Sequence, residues 1–177
     1  MKGSEVVNYL TRMIEFYKDR TPREEFQYCC IEDFVLKNGL MFTGRQMEVT
    51  KGRIKECYCN AWHLADGRRL VYVEGFAVGV IPVMHAWCVD EKGNIYDPTW
   101  EDGREYFGVP FDLAYVTKVI FKKKTFGVLD HWEDCYPLLR GIGDFKCKLR
   151  IEGGIRYDEQ GKGGGGVCNK GITESTL

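Results

Sequence analysis

The chain carries no excess of charge of either sign. Its 177 residues hold 25 Lys plus Arg against 26 Asp plus Glu, a formal net charge of −1. That balance leaves no basic footprint for a nucleic acid. No apolar run approaches the ~20 residues of a membrane span. Neither nucleic acid nor membrane is therefore expected as a partner. No signal-peptide core follows Met1-Lys2-Gly3-Ser4-Glu5, so a cytoplasmic chain is expected. Internal repeats are absent, and so is any paired C-x-x-C of the kind that holds zinc.

What is present is an apolar fraction of 44%, enough for one domain with a real core. Eight cysteines stand at 29, 30, 57, 59, 88, 135, 147 and 168. In a reducing compartment these read as free thiols, most of them small buried hydrophobes. Cys59 and His63 lie one helical turn apart, but a structural zinc site needs about four ligands. No metal and no cofactor is expected.

Apolar periodicity and capping residues predict the helices. Ser4 caps a helix to about Lys18, with Val6, Val7, Leu10, Met13, Ile14 and Tyr17 on one face. Thr21-Pro22-Arg23-Glu24 fits a capping box that opens a second helix, stopped at Asn38-Gly39 by a left-handed cap. Residues 40–55 look irregular or weakly extended. A third helix is expected over Glu56 to Ala65, and a fourth from Phe111 to Lys122 with Asp112 as its cap. A short helix or turn is expected near Asp130 to Leu138. Leu70 to Val80 reads as a strand. Residues 1–157 form the expected domain. Residues 158–177, with Gly163 to Gly166 among them, read as a flexible tail because glycine loses the most backbone entropy on ordering.

A hairpin carries the first chemical signal. His85 to Val89 and Ile95 to Asp97 read as strands joined by Glu91-Lys92-Gly93, a three-residue loop with glycine in the left-handed position. That loop sets Asp90 opposite Asn94, Trp87 opposite Asp97 and His85 opposite Thr99. His85 and Asp97 then share a sheet face, within diagonal reach of each other.

Cys57 supplies the second signal. A thiol at a helix start meets free backbone N–H groups and the positive end of the dipole, and both favour the thiolate. Cys59 lies two steps of about 100° away, on nearly the opposite side of the helix. Cys57 shares its side with Ala61, Leu64 and Ala65, the apolar face that must pack on the sheet carrying His85. Cys57 as nucleophile, His85 as base and Asp97 as orienter make a Cys-His-Asp triad for acyl transfer. Gln46 and Asn60 are side-chain candidates for the oxyanion site, and Trp87 is a candidate wall of the substrate site.

These residues resemble the transglutaminase-like superfamily, which shares a papain-like cysteine protease core. The resemblance spans residues 52–100. It rests on Cys57 with Ala61 four later, the Gly- and aromatic-rich Tyr72 to Ala77, His85-Ala86-Trp87 and Asp97-Pro98-Thr99-Trp100. The continuation Tyr106 to Phe111 is similar to small uncharacterised phage and bacterial proteins. One departure stands out: where the family places glycine two residues before its nucleophile, this chain has Lys55.

The resemblance implies an α+β fold, with N-terminal helices and a nucleophile-bearing helix packed on an antiparallel sheet. It implies a hydrolase or acyltransferase acting on an amide bond of a protein or peptide through a thioester. Hydrolysis, deamidation and transamidation share this machinery. The alternative is a catalytically silent protein-binding module of the same fold, such as a phage host-interaction protein.

Overall fold

A computed structural model describes residues 4–20, 24–157 and 163–164. The architecture is α+β: helices packed on an antiparallel, curled sheet. The helices are α1 (Glu5–Tyr17), α2 (Ile31–Asn38), α3 (Cys57–Gly67) and α4 (Leu113–Lys123). The strands are β1 (Leu40–Phe42), β2 (Val71–Val78), β3 (Pro82–Val89), β4 (Ile95–Tyr96), β5 (Glu105–Phe111), β6 (Gly154–Tyr157) and β7 (Gly163–Gly164). Their order in the sheet is β4-β3-β2-β5-β1-β6-β7. No helix among the described residues is long and apolar enough to cross a membrane.

Every residue of β2 is buried, because this central strand is covered on both faces. Strand side chains alternate between faces. Tyr72, Phe76 and Val78 join the core under the helices, with Val6, Leu10, Phe34, Ala61, Ala65 and Val116. Val71, Val73 and Ala77 point the other way, into a second cluster with Phe42, Trp87, Val89 and Tyr106.

Local capping sets two of the helices. The Ser4 hydroxyl accepts from the Val7 N–H (3.2 Å) at the start of α1, and the Asp112 carboxylate accepts from the Tyr115 N–H (3.0 Å) at the start of α4. A single 3-10 turn, Trp132–Asp134, lies where the short helix or turn was expected.

The second helix departs from expectation. Residues 24–30 form turns and bends, and α2 begins only at Ile31. The N–H groups of Gln27 and Tyr28 both bond to the Leu139 carbonyl (2.9 and 3.0 Å), and that of Cys29 bonds to the Asp33 carboxylate (2.9 Å). These partners draw the segment out of any helical ladder. Thr21 to Arg23, the core of the expected capping box, lie outside the described residues. The helix stop differs as well. Gly39 is extended (φ −88°, ψ 179°) rather than left-handed, and the chain passes directly into β1. Glycine suits the position because a Cβ there would stand 2.6 Å from the Val35 carbonyl oxygen.

Part of the segment expected to be irregular or weakly extended is β1, which lies between β5 and β6. Gly163–Gly164, inside the expected tail, pairs with Tyr157 and Arg156. The rest of residues 158–177 lie outside the described residues.

Candidate active site

Cys57 is the first residue of α3, one position after the expected start, with Glu56 as its cap. The Glu56 side chain makes no capping bond, so the N–H groups of the first turn keep no side-chain partner from the cap. Lys55 adopts φ +66°, the left-handed conformation that glycine takes without cost.

β3 carries His85, and the hairpin explains its setting. Cys88 pairs with Tyr96 and Val89 with Ile95, in the expected register. Gly93 has φ +77° in the turn, and the Asp90 N–H bonds to the Asn94 carbonyl (3.2 Å). The ladder ends at Cys88–Tyr96, so Trp87 and His85 have no strand partner on that side. Asp97 leaves the strand instead and folds its own loop. Its Oδ1 accepts the N–H groups of Thr99 (2.8 Å) and Trp100 (2.9 Å). Its Oδ2 accepts from His85 Nε2 (2.8 Å) and from the Tyr106 hydroxyl (2.9 Å).

That geometry sets the imidazole's orientation. Nε2–H points at the carboxylate, so Nδ1 is the ring nitrogen that Asp97 does not engage. Cys57 lies near enough to bear electrostatically on the ring. Burial lowers the basicity of His85, but the bonds and charges of Asp97 and Cys57 outweigh it and raise the pKa to about 9. Burial pushes the Asp97 carboxyl upward, and the His85 bond, the His85 charge and the Trp100 and Thr99 N–H groups more than reverse this, holding it below the usual range. The pair thus favours imidazolium beside carboxylate, with the sulfur at a helix N-terminus.

The packing of α3 differs from expectation. α3 packs Ala61 and Ala65 against the face of β3 that carries Ala86 and Cys88, and the Cys88 thiol bonds to the Ala61 carbonyl (3.1 Å). His85 and Trp87 alternate with those residues and belong to the opposite face. The outer edge of β3 beside His85 is left unpaired, because β4 has only two residues.

Hydrogen bonds stitch the loop carrying Asp97 to α3 and to the segment leading into it. The Gly52 N–H donates to the Pro98 carbonyl (2.7 Å). Lys51 Nζ donates to the Asp97 carbonyl (2.9 Å), and Asn60 Nδ2 donates to Thr99 Oγ1 (3.0 Å). The sequence analysis missed this lacing, along with the hydroxyl of Tyr106. Nothing near Tyr106 in the chain signals its partner, because Asp97 reaches it only after β5 is placed against β2.

Several expectations need correction. Trp87 walls no substrate site: it is fully buried, packed edge-on against Tyr106 and Phe42. Trp100, half-buried, is the indole on the ring, stacked on His85 at 4.1 Å between centroids and 19° between planes. Asn60 spends its amide on the Arg53 backbone and on Thr99. Gln46 gives its amide to the Trp100 carbonyl and the Tyr106 hydroxyl, both at 3.4 Å. Both amides are therefore already engaged by protein acceptors. Burial raises the Cys59 thiol, with the Glu56 charge in support. Among the described residues no three His, Cys, Asp or Glu side chains cluster as a metal site, so Cys59 and His63 gain no further ligand.

No family model, curated protein or solved structure matches this chain. Its chemistry must be argued from the site.

Proposed function

We propose that this chain is a cysteine-dependent acyl-transfer enzyme with a transglutaminase-like, papain-like arrangement of its reacting groups. One observation carries the reading: Asp97 Oδ2 holds His85 Nε2–H at 2.8 Å, and Cys57 opens α3.

The Cys57 proton passes to His85 Nδ1, and the sulfur attacks an amide carbonyl of a protein or peptide. Free N–H groups of the first α3 turn stabilise the oxyanion. As the C–N bond breaks, the imidazolium returns its proton to the leaving amine, which leaves a thioester on Cys57. Water or a second amine then attacks the thioester and gives its proton to His85, and the C–S bond breaks to release the acid or new amide and return Cys57 as the thiolate. Asp97 holds the ring in one tautomer throughout.

A thiol-reactive probe at neutral pH tests this. Cys57 labels faster than the other seven cysteines, and His85→Ala removes the advantage. Equal labelling of all eight would favour the non-catalytic binding module. An acyl-enzyme trapped from a peptide library and read by mass spectrometry identifies the substrate.

A further inference from the structure

We infer that Tyr106 is a positioning residue that sets the proton affinity of His85 through the carboxylate they share. This deepens the proposed function, and it rests on that reading only for its kinetic readout.

The geometry is specific. Asp97 Oδ2 accepts two bonds, from His85 Nε2 at 2.8 Å and from the Tyr106 hydroxyl at 2.9 Å. Both donors therefore compete for the electron density of one oxygen. A donor to the charged form of a carboxylate stabilises that form and weakens its pull on any other proton. The Tyr106 hydroxyl thus moderates how tightly Asp97 holds the imidazolium.

The hydroxyl is committed to this role. Tyr106 is 2% exposed, and its ring packs edge-on against Trp87 at 5.1 Å. Gln46 Nε2 donates to its oxygen (3.4 Å), which leaves the O–H proton for Asp97. Burial and the Asp97 charge raise the phenol well above its usual range, so it remains a donor. Other groups facing the pair come from several elements. Cys57 of α3 bears electrostatically on the ring, Cys88 of β3 and Asp102 of the loop before β5 act on Asp97 and Tyr106, and Lys51 holds the Asp97 carbonyl. None of these donates to Oδ2.

The test follows the His85 imidazole by NMR titration in the full chain, beside Tyr106→Phe and a chain with 3-fluorotyrosine at position 106. Tyr106→Phe keeps the ring and removes the donor, so the His85 midpoint rises by about half a pH unit, a threefold gain in proton affinity. Fluorine makes the phenol a stronger donor, so the midpoint falls. Opposite shifts support the inference, since a purely structural role would not change sign between two near-isosteric rings. Midpoints that stay put, or move the same way in both chains, overturn it. Should Tyr106→Phe fail to fold, a fluorotyrosine chain with an unchanged midpoint overturns it alone. The pH profile of Cys57 alkylation, run in parallel, separates the two readings. If Cys57 shows no enhanced reactivity in the native chain, the acyl-transfer reading fails while the His85 midpoints still decide the role of Tyr106.

Discussion

Asn60 Nδ2 donates to Thr99 Oγ1 at 3.0 Å, joining the helix that bears Cys57 to the loop that bears Asp97. The same amide closes on the Arg53 backbone from both sides, with Nδ2 donating to the Arg53 carbonyl and Oδ1 accepting the Arg53 N–H. One side chain therefore ties three segments of the site. Asn60→Ala is expected to lower stability by about 1–2 kcal/mol, the net value of these bonds. It also slows Cys57 alkylation, because sulfur and imidazole lose their common frame. Chemical denaturation and labelling kinetics check the two effects together.

The His85–Asp97 pair makes stability depend on pH at both ends. Folding raises the His85 pKa to about 9 from 6.5. Its contribution is complete below about 6.5 and is lost as pH climbs through 9. The size is on the order of 3 kcal/mol. Asp97 is depressed below 3.8, so its contribution is present above that value and is lost as pH falls through the folded pKa. Denaturation midpoints under reducing conditions are expected to drop between pH 7 and 9.5. In His85→Gln the alkaline drop becomes smaller. A native chain with flat stability over that range would contradict the pairing.

Lys55 holds φ +66°, where a side chain crowds its own carbonyl. Lys55→Gly relieves this and is expected to stabilise the chain by about 1 kcal/mol. Cys57 alkylation stays at the native rate, because the backbone leading into α3 keeps its shape. Lys55→Val should destabilise, since a β-branched side chain tolerates this conformation least. Thermal denaturation of the two variants reads the difference.

Glu74 lies on the helix-covered face of β2, fully buried. Its carboxylate accepts the N–H groups of Val128 (2.8 and 2.9 Å) and Leu129 (3.1 Å) and the Tyr72 hydroxyl (2.7 Å). Burial raises its pKa, and these donors oppose the rise. Glu74→Gln turns one acceptor into a donor facing backbone N–H groups. A loss of about 2–4 kcal/mol is expected. Hydrogen exchange at Val128 and Leu129 should rise by more than that of β3 amides.

The segments that could be read correctly from the chain are those whose causes are local. Ser4 and Asp112 cap their own helices through bonds that span three residues. Glu91-Lys92-Gly93 sets the hairpin because the turn needs a positive φ at glycine. The second helix failed the same kind of reading. Gln27 and Tyr28 answer to Leu139, more than a hundred residues away, and local capping logic carries no information about that carbonyl.

The candidate site divides in the same way. That Cys57 opens a helix, and that His85 and Asp97 lie on either side of a tight hairpin, follows from spacing and turn chemistry alone. Tertiary structure alone decided that Asp97 leaves the ladder, that Trp87 goes into the core while Trp100 covers the ring, and that Tyr106 completes the carboxylate. Hydrogen bonds within a turn or a cap involve neighbours that the chain itself keeps close. A shared oxygen between β5 and the loop after β4 exists only once the sheet has brought distant strands together.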